Sequence, residues 1–351
     1  MRNRSRTYPS SLFFRLLLAL ALFSAAVATS NAQQPNVVHG QISTDANVHD
    51  PATQVAAQRG EHIVWLAWPF ETLRPGSMNY VENRTVYLEG NPSPGTKDDV
   101  TIAGTTRSIV LIRISDGVVT KLRLESPERI LDAGNQKILW LPSIDGDASV
   151  RFLASLVHPD QPRDLRSAAV FAVATHKADA ALPLLIGFTG TQHDLGIREN
   201  AAFWLASQRD HEGFLVLQKL AHSDASDPFR EKLVFDFTVS KDSEAIKEVI
   251  RMSHEDASPA VRKQAQFWIA MKAGRIVAPD LASSAENDPA SEVRKAAVFA
   301  LSRLPEQDAT IQLIHVADTS KDPAVRKQAV FWLGQSKDPQ ALDYLAKLVI
   351  R

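Results

Sequence analysis

The sequence predicts an all-α solenoid, six helix pairs wound as an α-α superhelix, preceded by a small β-rich domain. Two observations carry that prediction. The first is an unbroken 32-residue register of arginines: Arg166, Arg198, Arg230, Arg262, Arg294 and Arg326. The same residue types return around each one. An apolar residue precedes it (Leu165, Ile197, Phe229, Val261, Val293, Val325). Three positions on stands a small or apolar residue (Ala169, Ala201, Leu233, Ala265, Ala297, Ala329). Five positions on stands a phenylalanine every time (Phe171, Phe203, Phe235, Phe267, Phe299, Phe331). A fixed period of this length is the signature of a repeat architecture. The second observation is a change of texture. Before about residue 145 the chain is written in β-branched and aromatic runs punctuated by turn residues.

In chain order, the first element is MRNRSRTYPSSLFFRLLLALALFSAAVATSNA. Arg2, Arg4 and Arg6 make a basic start, Leu16 to Ala28 an apolar run, and Ser30-Asn31-Ala32 a small-residue site. These are the parts of a secretory signal peptide spanning 1–32, with cleavage expected after Ala32. Ala26-Val27-Ala28 is a second candidate site. The apolar run is short for a membrane span, which needs about 20 residues. No twin arginine is present, so the general export route is expected. No later run is long enough to cross a bilayer, and the expected address is the periplasm or the medium.

Composition excludes several classes of function. There is no cysteine, which rules out acylation on cysteine, disulfides, thiolate metal sites and cysteine nucleophiles. Losing 1–32 removes four arginines and no acid, taking the formal charge from −1 to −5. A mildly acidic chain has no electrostatic footprint for nucleic acid. No P-loop, dinucleotide fingerprint or nucleophile motif is present.

Residues 33–145 are expected to form the β-rich domain, long enough for a core of its own. EHIVWLAWPF and RTVYLEG read as strands. RSIVLIRISDGVVTKLRLES reads as a hairpin about Asp116-Gly117, and LEGNPSPGTKDD as a loop. Asn83-Arg84-Thr85 matches a glycosylation sequon.

The solenoid is expected over 147–351. ASVRFLASLVH fits the frame of a second helix whose first helix is missing, so 147–157 is read as a capping helix. In each unit the apolar positions recur on one face of the arginine-bearing helix. SPAVR and DPAVR supply start signals, with Ser258 or Asp322 at the cap and Pro259 or Pro323 in the first turn. A second helix follows, its buried face marked by Leu185, Leu217, Val249, Leu281, Leu313 and Leu345. Neither helix can bury its face alone, so neighbouring units must share one core. The last helix ends in LAKLVI without a polar outer face, so a partly exposed or partner-covered end is expected.

A unit such as DPAVRKQAVFWLGQSKDPQALDYLAKLV resembles a HEAT repeat of the short variety shared by phycobilin lyases and deoxyhypusine hydroxylase. The resemblance covers about 147–351. The stretch LDAGNQKILWLP before it is similar to the front half of exported bacterial HEAT proteins. The fold implied is the α-solenoid; the activity is left open, because this repeat serves enzymes and scaffolds alike. The hydroxylase resemblance implies His-Glu pairs, holding iron, directly after the arginine position. Here those positions read Ser167-Ala168, Glu199-Asn200, Glu231-Lys232, Lys263-Gln264, Lys295-Ala296 and Lys327-Gln328. None is a His-Glu pair, so no metal and no cofactor is expected.

The arginine column is expected to satisfy acids or carbonyls in the turns of neighbouring units. The phenylalanine column is expected to fill the seams between first helices, an exposed aromatic strip being the alternative. Trp204, Trp268 and Trp332 stand beside it in alternate units, opposite Ala172, Asp236 and Ala300 in the others. That gives a 64-residue super-period, and the alternation of large and small suits close packing. The second helices are expected to line the concave groove. Lys219, Arg251, His315 and Lys347 then form a possible basic row for a partner, interrupted by Gly187 and Ser283. The function expected is an exported, non-catalytic scaffold that holds another protein in its groove. The alternatives are a lyase- or hydroxylase-like enzyme, or glycan or cell-wall binding through Trp65 and Trp68.

Overall fold

In a computed structural model of the chain, residues 34–74, 80–81, 85–90, 100–101 and 106–350 are described, the side chains of Tyr80, Val81, Val100, Thr101 and Arg275 excepted. The expected signal peptide, most of the sequon and most of the loop after Leu88 lie outside these residues. Ten strands and fourteen α-helices are found among them.

The front of the chain builds a five-stranded sheet from β2 (Gln41–Thr44), β10 (Lys137–Trp140), β3 (Val64–Glu71), β7 (Arg107–Ser115) and β8 (Val118–Glu125), in that order. The first three strands run parallel, and β3, β7 and β8 antiparallel. β7 and β8 are the expected hairpin. Asp116 and Gly117 both adopt positive φ, 51° and 77°, the geometry that a two-residue turn needs to match strand twist. A parallel three-stranded sheet joins β1 (Asn36–Val38), β9 (Ile130–Asp132) and β5 (Thr85–Tyr87). Tyr80–Val81 (β4) pairs with Val100–Thr101 (β6), and a short helix α1 covers Pro51–Ala57.

Alternation along β3 and β7 buries both faces of the larger sheet. Trp65, Ala67, Ile109 and Leu111 line one face, with Ile138 and Trp140 in register beside them. Leu66, Trp68, Phe70, Val110, Ile112 and Ile114 line the other, and they belong to one continuous core that runs through the helices as far as Ala341. The expected separate core is therefore only half of the arrangement: one sheet face merges with the solenoid. Trp65 and Trp68 are both fully buried, which removes them as a glycan-binding surface.

The joint between sheet and helices is specific. α2 (Gly146–Ser155) is the expected capping helix, and α3 (Arg163–Thr175) begins the first unit. β3 is prolonged by backbone bonds to the end of α3: Leu73 N–H donates to Thr175 O (2.8 Å) and Lys177 N–H to Glu71 O (3.0 Å). Beneath them a buried chain of side chains connects three elements. Trp68 Nε1–H donates to Ser149 Oγ (2.8 Å), which lies 3.0 Å from His176 Nε2. His176 Nδ1 lies 2.6 Å from Ala172 O. A carbonyl only accepts, so Nδ1 carries the proton and Nε2 accepts from the serine hydroxyl. Burial pushes the imidazole down to about 4, and its ring stacks on Phe70 at 3.9 Å. β8 packs on α3, so the sheet covers the end of the stack where α2 has no first-helix partner. This covering meets the need of a terminal repeat for a cap.

Six helix pairs follow: α3 with α4 (Ala181–Gly187), α5 (Leu195–Gln208) with α6 (Asp210–Ser223), and α7 (Asp227–Val239) with α8 (Ala245–Glu255). Then come α9 (Pro259–Ala273) with α10 (Ala278–Asn287), α11 (Ser291–Leu301) with α12 (Glu306–Thr319), and α13 (Pro323–Leu333) with α14 (Pro339–Ile350). The apolar columns predicted at the arginine's flank and three positions on are buried in every unit. Asp322 caps α13, its carboxylate accepting from Ala324 N–H at 2.8 Å. Ser258 stands at the cap of α9 without a side-chain bond; Asp256 instead accepts from the Ser258 N–H at 2.8 Å. Leu342, Leu348, Val349 and Ile350 on α14 are exposed.

The arginines stitch the units together. Arg230 and Arg262 each grip the aspartate of the next turn with two bonds, to Asp256 (2.9 and 3.0 Å) and Asp288 (2.8 and 3.0 Å). The same guanidinium groups donate back to the preceding turn, at Asp224 O and Asp256 O (both 2.7 Å). Arg166 pairs with Asp194, Arg198 with Asp224 and Arg294 with Asp322, while Arg326 donates to Ser320 O. These bonds to the carboxylates hold the Arg230 and Arg262 pKa values above the ordinary arginine range.

Candidate functional site: an aromatic face on the first helices

Successive first helices pack against one another along their length, whereas successive second helices meet at few residues. The first-helix layer is thus the more closely packed of the two.

That layer carries the phenylalanine column. Five of the six rings are half-buried, and Phe331 is 56% exposed. Ring follows ring across every seam, in two alternating geometries. Where a tryptophan is present it leans on the phenylalanine of the preceding unit: Phe171–Trp204 at 4.6 Å, Phe235–Trp268 at 5.0 Å, Phe299–Trp332 at 5.4 Å. Where it is absent two phenylalanines lie parallel, Phe203–Phe235 at 6.4 Å and Phe267–Phe299 at 6.5 Å. Edge contacts within Phe203–Trp204, Phe267–Trp268 and Phe331–Trp332 close the remaining gaps. The column therefore fills the seams and also presents a continuous aromatic row. Such rings prefer offset and edge-on packing at these separations.

An open depression of about 560 Å³ lies on this row over the first three units. Its walls are Phe171, Phe203, Trp204 and Phe235, with Glu199 and Lys232 at the rim. The Lys232 ammonium sits 5.0 Å from the Phe235 ring centre and 5.6 Å from that of Phe203, a cation held on two ring faces. It also pairs with Asp236, which is fully buried at the position tryptophan occupies in alternate units. Burial pushes the Asp236 carboxyl up to about 6 against the pull of Lys232. Its second oxygen, Oδ2, has no partner among the described residues.

The basic row predicted on the second helices is distributed differently. Lys219 on α6 and Lys347 on α14 are exposed. Arg251 on α8 is bound to Glu248 (2.6 and 2.8 Å) and lies 3.6 Å from Glu255. His315 on α12 stands 3.0 Å from Glu286. Two of the four thus already face acids, and the four residues lie on four different helices. Among the described residues no group of three or more potential ligands could hold a metal ion. The six post-arginine positions contain no histidine, so they do not fit the iron pair that the hydroxylase resemblance implies.

Residues 278–350 match the family of HEAT repeats. The chain carries HEAT repeats. The match covers the last units, and the unbroken arginine register continues the same HEAT unit back to Arg166. No curated protein matches the sequence. Solved structures with a similar helical arrangement include human deoxyhypusine hydroxylase (17% identity, TM-score 0.31, 59% of this chain and 80% of that one). Others are YibA of Escherichia coli (21%, 0.36, 56% and 74%) and the complex of CpcE and CpcF of phycocyanin lyase from Nostoc sp. (19%, 0.30, 59% and 88%). Identities this low concern the fold alone. Among the described residues no helix is long and apolar enough to cross a membrane.

Proposed function

We propose that this HEAT-repeat chain is an exported, non-catalytic scaffold that binds another protein along the aromatic row of its first helices. The observation that supports this reading is the row itself. Half-exposed aromatic rings continue through six units, and large rigid rings with an apolar body are what protein interfaces favour at their centres. The partial exposure of these rings, against an Arg251 already bound to Glu248, favours the first helices over the second-helix residues Lys219, Arg251, His315 and Lys347 as the contact. Export rests on the basic start, apolar run and Ser30-Asn31-Ala32 site of the first 32 residues.

Two measurements test this. N-terminal sequencing of the protein recovered from the periplasm or medium should begin at Gln33; recovery from the cytoplasm with the first residues intact would refute export. For binding, Phe267→Leu/Phe299→Leu keeps apolar volume and removes two rings. Partners cross-linked to the parent in the producing bacterium should be lost from this variant at equal melting temperature. Equal recovery by both proteins would refute the aromatic row as the contact.

A further inference from the structure

The residue directly after each arginine divides the row into two electrical halves. In the second and third units it is Glu199 and Glu231; in the fourth, fifth and sixth it is Lys263, Lys295 and Lys327. Each stands four residues before the ladder phenylalanine of its own helix, so charge and ring are neighbours on one helical face. The pairs are Glu199–Phe203, Glu231–Phe235, Lys263–Phe267, Lys295–Phe299 and Lys327–Phe331. Lys263 and Lys327 are exposed and the other three half-buried. None of the five makes an ion pair among the described residues, whereas the arginines one position earlier are engaged in every unit. Glu292, three residues before Lys295, forms no ion pair with it.

Repeating units stack at about 10 Å, the usual spacing of packed helices. Three like charges in a row at that spacing repel, and at moderate salt the repulsion is only partly screened. On the second helices, by contrast, Arg251 is paired with Glu248. These five charges are sorted by sign along the aromatic row, and the Lys232 ammonium between Glu199 and Glu231 is taken up by Asp236.

We infer that the row takes an extended polypeptide segment of opposite polarity, basic over Glu199 and Glu231 and acidic over Lys263, Lys295 and Lys327. This inference rests on the scaffold reading above and names the partner's chemistry. An extended chain of polyproline II form advances about 3.1 Å per residue and turns once in about three residues, so one repeat corresponds to about one turn and every third side chain faces the row in the same way. The segment carries one charge at every third position, with apolar or aromatic residues between them to lie on the rings. Charge sorting also fixes the direction in which a given segment lies, since the reversed placement sets like charges face to face.

The probes are two labelled synthetic peptides of identical composition, with leucine and serine between the charges. In the first, two lysines are followed by three glutamates, one charge at every third position; in the second the same charges alternate in sign. Fluorescence anisotropy with the full mature chain should show the sorted peptide binding at least about tenfold more tightly at low salt, with the preference shrinking as salt is raised. The variant Lys263→Glu/Lys295→Glu/Lys327→Glu, at unchanged melting temperature, should lose that preference. Equal binding of the two peptides, abolished by Phe299→Leu, would overturn the inference and leave the aromatic row standing as a contact. Binding of the sorted peptide undiminished in the triple variant would overturn the inference also. No binding of either peptide would overturn both the polarity and the contact it rests on.

Discussion

Acidification tests the joint between sheet and solenoid directly. His176 is buried, neutral and held to about 4, while in an unfolded chain an imidazole titrates near 6.5. As pH falls through 6.5 the unfolded chain takes up a proton that the folded chain refuses. The contribution is therefore fully present above pH 6.5 and is lost progressively down to about pH 4, where the folded form protonates as well. At about 1.36 kcal/mol per pH unit the loss totals about 3 kcal/mol. Protonation would also convert Nε2 from acceptor to donor, setting it against the Ser149 hydroxyl that now donates to it. The assay is urea unfolding of the parent and His176→Gln between pH 7 and pH 4. Glutamine cannot titrate, so the variant should be less stable at pH 7, and the gap should shrink by about 3 kcal/mol on reaching pH 4. A gap that stays constant over that range would refute the buried neutral imidazole. The comparison must be with the variant, because a second group opposes it in an overlapping range.

That group is Asp236, raised to about 6 by burial. Its folded form binds a proton more readily than the unfolded form, so it adds stability below about pH 4 and loses it as pH rises through 6. Asp236→Asn should raise stability by roughly 1–3 kcal/mol at pH 8 and by nothing at pH 4, read by urea unfolding; a loss at pH 8 would show that the Lys232 pair outweighs burial. Arg262→Ala leaves buried Asp288 without its two bonds and should cost about 3–5 kcal/mol, whereas Arg326→Ala removes a bond to one carbonyl and should cost about 1 kcal/mol. Equal losses in thermal or urea unfolding would mean that the ladder does not hold the stack. Trp268→Ala, in a seam, should cost about 3 kcal/mol as large-to-small changes in packed sites do; Phe331→Ala, mostly exposed, should stay within about 0.5 kcal/mol. Similar costs for the two would deny the seam its packing role.

Much of this architecture is legible in the residues because a repeat states its core six times. The columns flanking each arginine, the phenylalanine at fixed offset and the Asp116-Gly117 turn each carry a local rule that needs no distant partner. What the sequence hid depends on distance or on comparison between layers. Trp68, Ser149 and His176 are 81 and 27 positions apart, and each alone is an ordinary tryptophan, serine or histidine. The acids that receive the arginines occupy two offsets: Asp224, Asp256 and Asp288 at one, Asp194 and Asp322 at the other. A column search therefore sees only fragments of the set. Which layer packs more closely cannot be read at all, since both helices of a unit are amphipathic. The charge sorting, by contrast, lies in plain view at the position after the arginine.

The two seam geometries alternate, so the chain is periodic in pairs of units. Excising a single unit, the fourth for example, would bring Phe235 and Asp236 against Phe299 and Ala300, a junction with no indole on either side. Excising the fourth and fifth together would set Phe235 against Trp332, the partner type it already has in Trp268. Lengthening follows the same arithmetic: a second copy of one unit would put the array out of phase, and a second copy of two would not. The structural module is therefore a double repeat, and an array shortened or lengthened by even numbers of units keeps both seam geometries in alternation at every join.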